Sequence, residues 1–134
     1  MLRQFLRPLL ACLIVVSCKD AAGPEDLTGI WRLETVSGQS LPFLLEQDGS
    51  FKVELTGETV ELLASGRQTT VTFFRVTDGG IVTNESVPAP GNYTVNGSTL
   101  LITFDNDPDT YTAIVNGDLM TINDIGLTFV YRRE

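Results

Sequence analysis

Histidine is absent from all 134 residues, and lysine occurs only at Lys19 and Lys52. Without an imidazole there is no His-based triad, no His-ligated zinc and no acid–base group poised near neutrality. The two cysteines, Cys12 and Cys18, form no CxxC pair, and no P-loop, HExxH sequence or nucleophile elbow occurs. Base is scarce as well. Lys and Arg number 9 against 17 Asp and Glu, for a net charge of −8, which opposes nucleic-acid binding and electrostatic adhesion to anionic lipid. No apolar run approaches the ~20 residues of a membrane-spanning helix. These gaps predict a single domain that is not an enzyme, needs no cofactor and holds no metal.

What is present divides into two unlike parts. In residues 1–17, MLRQFLRPLLACLIVVS, Arg3 and Arg7 are the only charges and Leu9 to Val16 is unbroken apolar sequence. Twelve of those 17 residues are hydrophobic, against 45 of the 117 that follow. A basic start, a short apolar core and a small residue before a break are the marks of a secretory signal. Val15-Val16-Ser17-Cys18 then resembles the lipobox of bacterial lipoproteins. That resemblance implies lipidation of Cys18, cleavage before it, and a bacterial membrane as partner through the acyl chains. At ~0.8 kcal/mol per buried CH₂, two or three chains anchor a domain firmly. Lys19 stands where an Asp would retain a proteobacterial lipoprotein at the inner membrane, so outer-membrane delivery is favoured. Residues 18–26 read as a lipidated N-terminus and flexible tether. Loss of Arg3 and Arg7 takes the charge from −8 to −10. It also leaves one cysteine and therefore no disulfide.

Residues 27–134 have strand composition. They hold 16 Thr, 10 Val and 6 Ile, and alternation replaces helical spacing. Leu100, Ile102 and Phe104 share one face of a strand; Tyr111, Ala113 and Val115 share another; Leu127, Phe129 and Tyr131 repeat the pattern. Asn96-Gly97 and Asn116-Gly117 suit type I′ hairpins, and Thr56-Gly57 and Asp78-Gly79 mark further reversals. Strands are predicted near 29–37, 50–56, 58–64, 67–77, 80–87, 91–96, 98–104, 110–116, 118–123 and 126–132. The fold class is all-β, an up-and-down antiparallel meander of 8–10 strands closing into a small barrel.

Gly29-Ile30-Trp31 resembles the G-x-W motif that opens lipocalin-type barrels, and residues 27–134 are similar to small bacterial lipoproteins with a lipocalin-like domain. In those proteins Gly-x-Trp-x-Leu precedes Ser-Gly-Gln-x-Leu-Pro, here Gly29 to Leu33 and Ser37 to Pro42. The resemblance implies a barrel closed by Gly29, Trp31 and a cation from the last strand, Arg132, stacked on the indole. The middle motif of the lipocalins has no recognisable counterpart.

Two functional readings follow. In the first, the barrel interior binds a small apolar ligand or lipid, drawing on Trp31, Leu33, Phe43, Leu45, Phe51, Phe73, Tyr93, Phe104, Tyr111 and Phe129. Leu41-Pro42-Phe43-Leu44-Leu45 would line or lid such a cavity, and Val87-Pro88-Ala89-Pro90 would be a rigid connection at a rim. In the second, a solid-core barrel acts as a structural or interaction module whose surface meets an envelope protein. Asp105-Asn106-Asp107-Pro108-Asp109 reads as an acidic hairpin tip, since Thr110 and Asn116 stand where a calcium loop needs Gly and Glu. Glu54, Glu58 and Glu61 read as a solvated strand face.

Overall fold

The computed structural model describes residues 26–134. The expected signal sequence, Cys18 and the expected tether through Glu25 lie outside the described residues. Within them the chain forms ten strands and no helix: β1 (Gly29–Val36), β2 (Gln39–Ser40), β3 (Phe43–Asp48), β4 (Phe51–Leu62), β5 (Arg67–Asp78), β6 (Ile81–Asn96), β7 (Thr99–Phe104), β8 (Asp107–Asn116), β9 (Leu119–Asp124) and β10 (Leu127–Arg133). All pairings are antiparallel, in the order β2-β1-β10-β9-β8-β7-β6-β5-β4-β3, with a further pairing of β1 to β4. That last pairing closes an eight-stranded barrel from β1 and β4 to β10. The predicted all-β meander is the fold observed.

Alternation builds the core. Leu100 and Ile102 of β7, Ala113 and Val115 of β8, and Met120 and Ile122 of β9 point inward and are buried. Leu101 and Ile114, one residue out of phase, face solvent. At one end of the barrel, Trp31, Leu33, Leu62 and Leu27 close the interior. The Trp31 indole N–H donates to Leu27 O at 3.0 Å, fixing the chain just before β1 across that end.

Several expected breaks are strand instead. Thr56-Gly57 is not a turn: β4 runs through it, with a register shift between Leu55 and Gly57. A bulge leaves one residue unpaired and reverses which face later side chains occupy, and this reversal shapes the interior. Val87-Pro88-Ala89-Pro90 is not a connection either. It lies within β6, where Pro88 faces Val71 and Pro90 faces Thr69. β7 pairs with β6 only from Gly91 onward, so the prolines sit on a free edge where a missing N–H breaks no ladder. Leu41 to Leu45 is not a lid. Phe43 and Leu44 pair with Leu55 and Glu54 of β4, and Leu45 falls in the register shift that follows.

The Asn-Gly hairpins also differ from expectation. Asn96 and Asn116 end their strands without positive φ, while Gly97 and Gly117 adopt φ of 64° and 62°. Glycine thus takes the first of two loop positions, the arrangement a type II′ turn uses. Two positive φ angles in succession occur at Ser37-Gly38, Gly79-Gly80 and Ile125-Gly126 instead.

Candidate functional site

A cavity of about 240 Å³, open to solvent, occupies the half of the barrel away from Trp31. Its walls reach the last residues of β7 and β9, Phe104 and Asp124, so it opens toward the β7–β8 and β9–β10 turns. Val60, Ile102 and Ile122 supply aliphatic wall, with Ala89 of β6 leaving room where a larger side chain would fill it. Four aromatic residues, Phe104, Tyr111, Phe129 and Tyr131, supply the rest of the apolar lining. Phe104 and Tyr111 meet edge to face, ring centroids 5.4 Å apart at 78°.

The polar lining is concentrated on β4 and β5. Glu58 enters the cavity because the bulge after Leu55 puts it in phase with Val60 and Leu62. Its Oε2 accepts from the Thr72 hydroxyl at 2.7 Å and its Oε1 accepts from the Tyr131 hydroxyl. Each oxygen of the carboxylate therefore has one protein donor and lone-pair capacity left over. Thr70, also in the wall, donates to Gln68 Oε1 at 2.8 Å, and Gln68 Nε2 donates to Thr103 O at 3.2 Å. Asp124 adds a second carboxylate at the rim.

Of the side chains expected to meet a ligand, Phe104, Tyr111 and Phe129 line the cavity. Trp31 and Leu33 are buried beyond its closed end. Tyr93 is half-buried, its hydroxyl donating to Leu63 O at 2.7 Å at that same end. Phe43 packs against the core cluster beside its partner Leu55 without reaching the cavity, Leu45 is exposed, and Phe51 pairs at the far tip of β4. Phe73 is on the opposite face of β5 from Thr72. It covers Gly57 from outside the barrel, as unbroken alternation along β5 requires once Thr72 points inward. Glu58, Thr72, Asp124 and Tyr131 were not expected in the site. The signal for Glu58 was its alternation with Val60 and Leu62, which places all three on one face of a strand.

Barrel closure is made by Arg133, not Arg132. Arg133 is the register partner of Trp31, and its guanidinium carbon lies 5.5 Å from the indole centroid. Its Nη2 also donates to Asp26 O and Thr28 O, each at 2.7 Å. Arg132, one residue earlier, points outward and pairs with Glu34 at 2.7 Å. Alternation along β10 decides between the two. The acidic tip is likewise engaged: Asp105 forms a two-point pair with Arg67, and Asp107 accepts from Asp109 N at 2.9 Å and Tyr111 Oη at 2.8 Å.

All three tyrosines are harder to ionise than free tyrosine. Burial pushes Tyr131 well up, reinforced by the Glu58 charge. The hydrogen bond to Asp107, with burial, pushes Tyr111 up to about 12. Burial and Asp26 raise Tyr93. A phenol whose folded pKa is raised stabilises the fold fully below its unfolded value near 10, and that contribution is lost as pH rises through the folded value. Phenolate absorbance is therefore expected to lag free tyrosine and to appear together with loss of β-sheet circular dichroism above pH ~10. A full tyrosine's worth of phenolate near pH 10 with the sheet intact would contradict the burial described.

No curated protein matches the chain significantly. The family profile described as lipocalin-like domain matches residues 27–124, from the segment before β1 through the end of β9. With that match over well more than half its length, and with eight antiparallel strands closed around a cavity, the chain belongs to the lipocalin-like domain family.

Proposed function

We propose that the barrel binds a small, largely apolar molecule non-covalently in its interior cavity, and that it does so at the bacterial cell envelope, held by acyl chains on Cys18. The observation that carries the binding reading is the cavity itself. Its about 240 Å³ corresponds to roughly eight waters at ~30 Å³ each. That is more than a packing defect, and somewhat below the ~300–1,000 Å³ of sites for drug-sized ligands. The ligand is accordingly small. Binding is partition of apolar surface into the barrel, oriented by a few polar groups, and involves no covalent chemistry.

Hexan-1-ol tests this reading by titration calorimetry. Saturable binding at one site is expected for the wild type, with loss of at least ~10-fold in affinity for Ala89→Trp, whose indole fills the cavity. Equal uptake by both proteins, or by neither, would contradict it.

The anchoring reading rests on Val15 to Cys18 directly after the apolar run, and Lys19 favours the outer membrane. Cys18→Ala is expected to release the protein from the membrane fraction of its host into the soluble envelope fraction. Unchanged membrane partitioning would show the lipobox reading wrong.

One feature supports a second reading, an interaction module facing an envelope protein. The stretch of β6 before Gly91 pairs only with β5, and Ile81, Val82 and Val87 along it are exposed. An unpaired strand edge is a template for a further strand.

A further inference from the structure

We propose that the ligand of the cavity is an organic cation, a small alkyl- or arylammonium compound whose charged nitrogen is held by Glu58 and Asp124 among aromatic rings. This inference rests on the binding reading above and adds the chemical class of the ligand.

The charges of the cavity are one-sided. Glu58 and Asp124 line it, and no basic residue does. Among the described residues, every Lys and Arg is committed elsewhere. Arg32 pairs with Glu134, Lys52 and Arg75 with Glu54, Arg67 with Asp105, and Arg132 with Glu34. Arg133 lies over Trp31 at the closed end. The protein therefore brings two half-buried carboxylates to a largely apolar cavity, Asp124 at its open rim, and supplies no counter-charge to either. Desolvating a carboxylate is unfavourable unless it is paired and hydrogen-bonded. Glu58 is hydrogen-bonded, by Thr72 and Tyr131, and the missing component is a cation.

The remaining lining selects which kind of cation. Phe104, Tyr111, Phe129 and Tyr131 surround the same space, and aromatic faces attract a cation while their area buries its hydrocarbon substituents. A hydrated metal ion gains nothing from such walls, whereas an alkylammonium uses both features. The Tyr131 and Thr72 hydroxyls fix the Glu58 carboxylate in place, so little side-chain entropy is lost when an N–H donor meets it. A fatty acid or other anion of the same length meets two like charges and no compensating donor from Lys or Arg.

Titration calorimetry of the purified protein with n-hexylammonium chloride, hexan-1-ol and sodium hexanoate, at equal ionic strength, tests the inference. Hexylammonium is expected to bind at least ~10-fold tighter than hexanol, and hexanoate at least ~10-fold weaker than hexanol. Glu58→Gln keeps the shape of the side chain and is expected to bring hexylammonium down to about the affinity that the same variant has for hexanol. Asp124→Asn, at the rim, is expected to shift affinity in the same direction by a smaller factor and serves should Glu58→Gln disturb folding. Hexanol binding with no preference for hexylammonium overturns the cation assignment and leaves the binding reading standing. Failure of all three probes overturns both. Tight hexylammonium binding that survives both substitutions places the cation elsewhere on the acidic surface and overturns the assignment.

Discussion

Trp31→Ala is expected to lower the free energy of unfolding by about 3–5 kcal/mol, the range for deleting a large buried aromatic side chain. Trp31 is completely buried and fastens three separate pieces of chain at the closed end of the barrel. Its ring packs in the core cluster with Leu27, Leu33 and Leu62, its N–H holds Leu27 O, and its face carries Arg133. Against a typical domain stability of ~5–15 kcal/mol, such a loss leaves the variant close to unfolding. Urea denaturation followed by β-sheet circular dichroism measures it, since the single tryptophan is removed. The midpoint should fall sharply with the slope unchanged. Arg133→Ala should cost less, about 1–2 kcal/mol for the cation–π contact and two carbonyl partners. Arg132→Ala removes only an exposed ion pair with Glu34 and should stay within about 1 kcal/mol of the wild type. Equal effects of the two arginines would contradict the register of β1 and β10.

Gly91→Ala is expected to be the most damaging substitution of any glycine. Gly91 is where β6 acquires its second neighbour, pairing with Gln68 on one side and Phe104 on the other. A Cβ there would lie 1.8 Å from Thr103 O and 2.8 Å from the Phe104 Cα. Both are backbone atoms, so β6 and β7 would have to separate. Arg67 bridges the same place by bonding Asn92 and Asp105, and Asp105 N donates to Pro90 O at 3.0 Å, which leaves little freedom to relax. A loss of about 3 kcal/mol or more follows, at the upper end for overpacking. Gly57→Ala is the control: its Cβ would meet only Phe73, at an ordinary 3.5 Å. Urea midpoints of the two variants check the pair. A Gly91→Ala midpoint equal to that of Gly57→Ala would show that the strands do not approach as described.

The particular residues show why the fold was more legible in the sequence than the site. Leu100-Ile102, Ala113-Val115 and Phe129-Tyr131 declare their faces by local alternation, which needs no knowledge of neighbouring strands. Thr56-Gly57 does not, because glycine marks turns and bulges alike. Reading it as a turn split one strand into two and left Glu58 on a solvated face, whereas the bulge carries it inward beside Val60. Pro88 and Pro90 invited a similar break, yet on a free edge a proline costs no ladder bond. The site depends on such parity changes and on pairings between distant segments. Arg133 rather than Arg132 reaches Trp31 only because β1 and β10 pair in one particular register. The meeting of Glu58, Thr72 and Tyr131 joins three strands, the last of them 73 residues beyond Glu58, and no local pattern announces it.

Whether the barrel carries a ligand inside is decided by native mass spectrometry of the protein isolated without denaturation from its own cells, beside Ala89→Trp prepared identically. A bound small molecule, amine-containing and sized for about 240 Å³, is predicted on the wild type and not on the variant. Bare protein in both preparations, or an adduct that persists in Ala89→Trp, would contradict binding in the cavity.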